Sequence, residues 1–127
     1  MFTDTTAFSS FAVDDIDRAR AFYGGTLGLR TSDEMGLLRL HLHGGHDVLV
    51  YPKPDHEPAT FTVLNFAVDD IDAAVDALLE RDVAFELYEE FEQDERGIAR
   101  SPGSGEGPDI AWFRDPAGNV LAVLRPV

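Results

Sequence analysis

The segment Phe11-Ala-Val-Asp-Asp-Ile-Asp17 recurs unchanged as Phe66-Ala-Val-Asp-Asp-Ile-Asp72, 55 residues further along. Seven consecutive identities at one offset mark a tandem duplication, which points to two copies of one supersecondary unit. Each copy reads as a strand and then a helix. Phe8 to Val13 and Val63 to Val68 are apolar and extended in character. Asp14 and Asp15, like Asp69 and Asp70, supply capping oxygens and negative charge at a helix start. Capping explains these aspartates better than metal binding or acid–base chemistry does. Ile16, Ala19, Phe22 and Tyr23 then share one helical face, as do Ile71, Ala74, Val75, Leu78 and Leu79 in the second copy. Gly24-Gly25 is expected to stop the first helix in a left-handed cap.

Hairpins follow. Leu37 to His43 alternates, Gly44-Gly45 turns, and His46 to Tyr51 returns. Pro52, Pro54 and Pro58 punctuate the passage between the copies. In the second copy Phe85 to Tyr88 reads as a short strand and Glu89–Gly107 as a long loop. Asp109 to Arg114 and Asn119 to Leu124 close a hairpin around Asp115-Pro-Ala-Gly118. Helices on one face of a largely antiparallel sheet define an α+β class. The length of 127 residues suits a single domain, 1–127, with module one covering about 1–55 and module two about 60–127.

Strand alternation assigns faces. Phe11 and Val13 belong against the helix, which leaves Phe8, Ser10 and Ala12 on the opposite, concave side. The repeat sends those three to Val63, Asn65 and Ala67. With a two-residue turn at Gly44-Gly45, His41 pairs with Val48 and Arg39 with Val50. Leu38, Leu40 and Leu42 then face the helix, and Arg39, His41, His43, Val48 and Val50 face the concave side. A slip of one residue would reverse all of this.

Composition narrows the partners. The chain carries 24 acidic against 10 basic residues, a formal net charge of −14. Such a surface repels phosphate backbones and anionic lipid, so neither nucleic acid nor a membrane is an expected partner. There are no cysteines, which excludes disulfides, thiolate nucleophiles and cysteine-ligated zinc. The first residues do not read as a signal peptide, and no run approaches the roughly 18 apolar residues of a span. A cytoplasmic location is the expectation. Motifs for phosphate loops, serine triads and dinucleotide binding are absent.

Val13-Asp-Asp-Ile-Asp-Arg-Ala-Arg-Ala-Phe-Tyr23, Leu27-Gly28, Val68-Asp-Asp-Ile-Asp72 and Trp112-Phe-Arg-Asp-Pro-Ala-Gly-Asn119 resemble the glyoxalase/bleomycin-resistance/dioxygenase, or vicinal oxygen chelate, superfamily. The resemblance covers nearly the whole chain. It implies two βαβββ modules around a cleft, with metal ligands on the first and last strand of each module. Carried over by motif, those positions are Phe8, Val50, Val63 and Ala122. None can coordinate a metal, because divalent ions need oxygen, nitrogen or sulfur donors.

The expectation is therefore a protein without metal or other cofactor that holds a small organic ligand, as bleomycin-resistance members do. The ligand-binding set is Ser10, Arg39, His41 and Asn65 among the apolar Phe8, Val48, Val50, Val63 and Ala122. Arg39 would hold a carboxylate or carbonyl, and His41 could serve as a base. His41, His43 and His46 together are the candidates for zinc. Arg96 and Arg100 are candidates for facing a ligand from the long loop. Two other classes remain open: a lyase, isomerase or dioxygenase-type enzyme with a non-standard site, and a regulatory or interaction module with a vestigial cleft. Relatives of this kind commonly pair, so a homodimer is expected.

Overall fold

The computed structural model describes residues 1–100 and 107–126. The chain divides into two compact units, Met1–Glu57 and Pro58–Val127. The architecture is α+β, the class read from the duplication.

In the first unit β1 (Ser9–Val13) leads into α1 (Ile16–Arg20). The Asp15 side chain caps α1, accepting from the amides of Asp17 at 3.0 Å and Arg18 at 3.1 Å. The helix does not stop at Gly24-Gly25. It widens into a π-helical segment, Ala21–Thr26, and the left-handed residue is Gly28, at φ 71°. The widening places Tyr23 in the core, where its ring lies 5.8 Å from Phe11.

Three strands complete the unit: β2 (Arg30–Glu34), β3 (Leu37–His41) and β4 (Asp47–Pro52). They form one sheet with β1, in the order β1-β4-β3-β2, with β1 parallel to β4 and the other pairs antiparallel. The β3–β4 register differs from expectation by one residue. Leu38 opposes Val50 and Leu40 opposes Val48, where the two-residue turn would pair Arg39 with Val50 and His41 with Val48. The cause is the connection. The Leu42 amide donates to the His46 carbonyl at 2.8 Å, which closes a three-residue loop, His43-Gly44-Gly45. Val48 and Val50 consequently share the helix-packed face with Leu38 and Leu40, and all four are buried.

In the second unit β5 (Thr62–Ala67) leads into α2 (Ile71–Glu80), which Asp70 caps through the Ala73 amide at 3.0 Å. The closing hairpin is β6 (Asp109–Arg114) and β7 (Val120–Arg125). The sheet has the order β5-β7-β6, with β5 parallel to β7. Helix α2 packs on β6 and β7, over Ala111, Phe113, Leu121 and Val123.

Phe85 to Tyr88 does not form the expected strand. Phe85 makes one isolated bridge to Phe113, and the Glu86 amide donates to the Trp112 carbonyl at 2.8 Å. The Tyr88 amide then turns to the Gln93 side chain, which ends the ladder. Of the long Glu89–Gly107 loop, residues 101–106 lie outside the described residues.

Candidate functional site

The open face of the second sheet carries a cleft of about 550 Å³. Cross-strand pairing sets its floor. Thr62, Val120 and Arg114 stand in one row; Asn65, Ala122 and Trp112 stand in another. Thr62, Val120, Arg114 and Trp112 line the cleft, and Ala122 is fully covered beside Trp112.

The aromatic wall comes from the long loop. Phe91 stacks on Trp112 at 5.0 Å with 28° between ring planes, and Tyr88 meets the same indole edge-on at 5.3 Å. Burial pushes the Tyr88 hydroxyl above its ordinary pKa, so it stays a neutral donor. Gln93 holds this wall in place. Its Oε1 accepts from the Tyr88 amide at 2.6 Å, and its Nε2 donates to Glu86 O at 2.9 Å and Gly97 O at 2.8 Å. Gly97 has φ 92°, and a Cβ there would lie 2.9 Å from Phe85 Cβ, so only glycine fits.

The opposite rim is Pro58 to Phe61. Asn119, which is buried, accepts the Ala59 amide on its Oδ1 at 3.1 Å. Asp115 holds Asn119 in turn, accepting from its amide at 2.8 Å and from its Nδ2 at 3.1 Å. The Asp-Pro-Ala-Gly-Asn turn thus builds one wall of the cleft. Gly118 belongs to it, with φ 86° and the Pro58 ring 3.0 Å from where a Cβ would stand. Arg114 enters already matched: its Nε donates to Glu86 and its Nη1 to the Gly118 carbonyl at 2.7 Å.

The residues read from the sequence fall differently. In the second unit Asn65 is exposed on the cleft-bearing face, Val63 sits at a register shift in β5, and neither lines the cleft. In the first unit Ser10, Arg39 and His41 lie on the face away from the helix, and Phe8 is exposed. Val48 and Val50 do not join them, because the three-residue loop turns both toward the helix. Arg39 is bound by Glu34 at 2.8 Å and Asp47 at 3.4 Å. Arg96 and Arg100 pair with Asp72 and face α2. A separate recess of about 340 Å³ in the first unit includes Phe8, Ser9, Asp47 and Val48.

Phe8, Val50, Val63 and Ala122 carry no donor atom, so these positions do not fit a metal. Among the described residues there is also no group of three or more His, Asp or Glu that could hold one. Nor, among the described residues, is any helix long and apolar enough to cross a membrane. None of the residues that line the cleft belongs to the ligand-binding set read from the sequence, which left out Thr62, Tyr88, Phe91, Arg114 and Val120 among others. The Asp-Pro-Ala-Gly-Asn motif beside Trp112 was the available signal.

The family model of the Glyoxalase/Bleomycin resistance protein/Dioxygenase superfamily matches residues 5–123, and the chain belongs to that superfamily. The fold is shared with TnmS3, an antibiotic binding protein from Streptomyces sp. CB03234, at 22% identity and TM-score 0.67 over 98% of this chain and 99% of that one. A glyoxalase family protein from Enterococcus faecalis matches at 19% identity and TM-score 0.70, over 98% of this chain and 100% of that one. The fosfomycin resistance protein FosX from Listeria monocytogenes matches at 9% identity and TM-score 0.71, over 98% and 94%. No curated protein matches the sequence.

Proposed function

We propose that this protein binds a small, partly apolar, ring-bearing organic molecule in the cleft of its second unit, without a metal, and holds it unchanged. The observation that carries the reading is the aromatic wall, where Trp112, Tyr88 and Phe91 present ring faces and edges above a sheet floor. A volume of about 550 Å³ lies within the range of small-molecule sites. Glu90 and Thr60 at the rim offer polar groups for orientation. Asn65, exposed in the cross-strand row of Trp112, extends the binding face. TnmS3 and FosX, an antibiotic binding protein and a resistance protein on this fold, make a sequestered toxic compound a reasonable ligand class.

Trp112 is the only tryptophan in the chain, so its fluorescence reports on this cleft alone. Titration with a panel of planar aromatic antibiotics should quench it saturably, and Tyr88→Ala should weaken the response about tenfold, the effect of losing one aromatic contact. Absence of quenching across the panel would count against the reading. Elemental analysis finding about one tightly held metal per chain would overturn its metal-independent part. The same reading includes a homodimer, with Phe8 and Phe61 as exposed apolar contacts. Sedimentation showing only monomer at micromolar concentration would remove that element.

A further inference from the structure

The open face of the first sheet holds a second arrangement, made of residues other than those that line the cleft. Ser32 on β2, His41 on β3 and Asp47 on β4 project to the same side of three adjacent strands. Ser32 Oγ lies 2.8 Å from His41 Nε2, and His41 Nδ1 lies 3.3 Å from Asp47 Oδ1. The other Asp47 oxygen, Oδ2, faces Arg39 Nη1 at 3.4 Å, which fixes the carboxylate between two partners. Hydroxyl, imidazole and carboxylate therefore neighbour one another in that order, each on its own strand. The sheet backbone sets their spacing.

We infer that Ser32, His41 and Asp47 form a nucleophilic site for small activated esters. With Nδ1 turned to the carboxylate, the neutral imidazole carries its proton there, leaving Nε2 to accept the Ser32 hydroxyl proton. As that proton passes to His41, Ser32 Oγ bonds to the ester carbonyl carbon. The tetrahedral adduct collapses, the bond to the leaving oxygen breaks, and His41 returns the proton to that oxygen. Water then attacks the acyl-serine, gives its proton to His41, and releases the acid as the proton returns to Ser32. The developing oxyanion needs positive charge. Two arginines flank the pair in register, Arg39 opposite Ser32 and Arg30 opposite His41. Arg39 is held by Glu34 and Asp47, so exposed Arg30 is the group for the oxyanion. Side-chain exposures of 34% for His41 and 32% for Asp47 leave the face open to a substrate.

The test uses p-nitrophenyl acetate as substrate and a fluorophosphonate as covalent probe, both with the full chain. Wild-type protein should release p-nitrophenol faster than an equal concentration of free imidazole, and mass spectrometry should find the phosphonyl adduct on Ser32. Ser32→Ala should abolish the adduct, and His41→Gln should slow turnover at least 100-fold, the usual scale for a lost general base. Arg30→Ala should lower kcat about tenfold. Asp47→Asn should lower kcat with KM unchanged, the mark of a positioning residue acting through His41. Circular dichroism and thermal unfolding monitor folding in every variant. Turnover no faster than free imidazole, an adduct on another residue, or a His41→Gln variant as fast as wild type would each overturn the assignment.

Discussion

The two copies of Phe-Ala-Val-Asp-Asp-Ile-Asp occupy matching places in their units and do different work. Phe11 is 9% exposed and part of its core, while Phe66 is half-buried. The isoleucines reverse the order: Ile71 is 2% exposed and Ile16 half-buried. The first copy leads into five residues of α-helix and a π-helical widening, the second into ten residues of regular helix. The last aspartates diverge most, Asp17 pairing with Arg20 at 2.7 Å on its own helix and Asp72 gripping Arg96 and Arg100 from the distant loop. Identical sequence sets strand, cap and helix start, because those depend on neighbours in the chain. What each residue contacts depends on the elements that follow, and those have diverged.

Replacement at equivalent positions should show this with the largest effects. Phe11→Ala should cost about 3–5 kcal/mol in urea unfolding, the scale of a buried phenylalanine, and Phe66→Ala clearly less. Ile71→Ala should cost about 2–5 kcal/mol and exceed Ile16→Ala. Equal costs within either pair would mean that the repeats pack alike, and the comparison would fail.

The hairpin of the first unit offers a narrower test. Val50→Ala should cost about 1.5–3 kcal/mol, the scale of burying that side chain, with Leu49→Ala well below it. The reverse order would restore the two-residue turn. This strand pair also shows what the sequence discloses and what it withholds. Alternation placed Leu38 and Leu40 on the helix side and Arg39 and His41 opposite, because side-chain period follows from the backbone. It missed Val48 and Val50, since alternation on one strand says nothing of the loop length that sets the partner's register. The same limit hid how the residues of both proposed sites assemble. Ser32, His41 and Asp47 are scattered in sequence and meet only across strands, and no linear motif marks such a set. Tyr88 and Phe91 reach Trp112 because Gln93 bonds the intervening backbone, and a glutamine in an acidic loop gives no sign of that. The Asp-Pro-Ala-Gly-Asn turn was legible as a turn, while its grip on Ala59 depends on a residue 60 positions away.

The third prediction separates the units by their loops. Gln93→Ala leaves the Tyr88 amide and the Glu86 and Gly97 carbonyls without their partner, at a cost of about 1–3 kcal/mol. Trp112 fluorescence should shift to the red as Tyr88 and Phe91 loosen. The first unit has no counterpart, because β2 and β3 fill that place with a backbone ladder. An unshifted spectrum would show that the aromatic wall stands without Gln93.

The smallest effect concerns the aspartates that end the two repeats. Hydrogen bonds from Arg100 and then Arg96 pull the Asp72 carboxyl down to about 2. A carboxyl depressed by folding contributes stability above its unfolded pKa of about 3.9 and loses it as pH falls through the folded value. The grip of α2 on the loop should therefore hold at neutral pH and fade between about pH 4 and pH 2. Asp72 is half exposed, so the contribution is also screened by salt. The readout is hydrogen exchange, corrected for intrinsic rate, at Ile98 and Ala99, whose amides donate to Asp94 Oδ1 and Ile110 O at 3.0 and 2.8 Å. Asp72→Asn at pH 7 should raise exchange there as acid does in wild type, and molar salt should do so in part. Asp17→Asn should leave those amides unchanged, since its partner is a neighbour on the same helix. If Asp72→Asn exchanges like wild type at pH 7, the ion pairs do not fasten the loop, and the divergence of the two repeats stops at their hydrophobic residues.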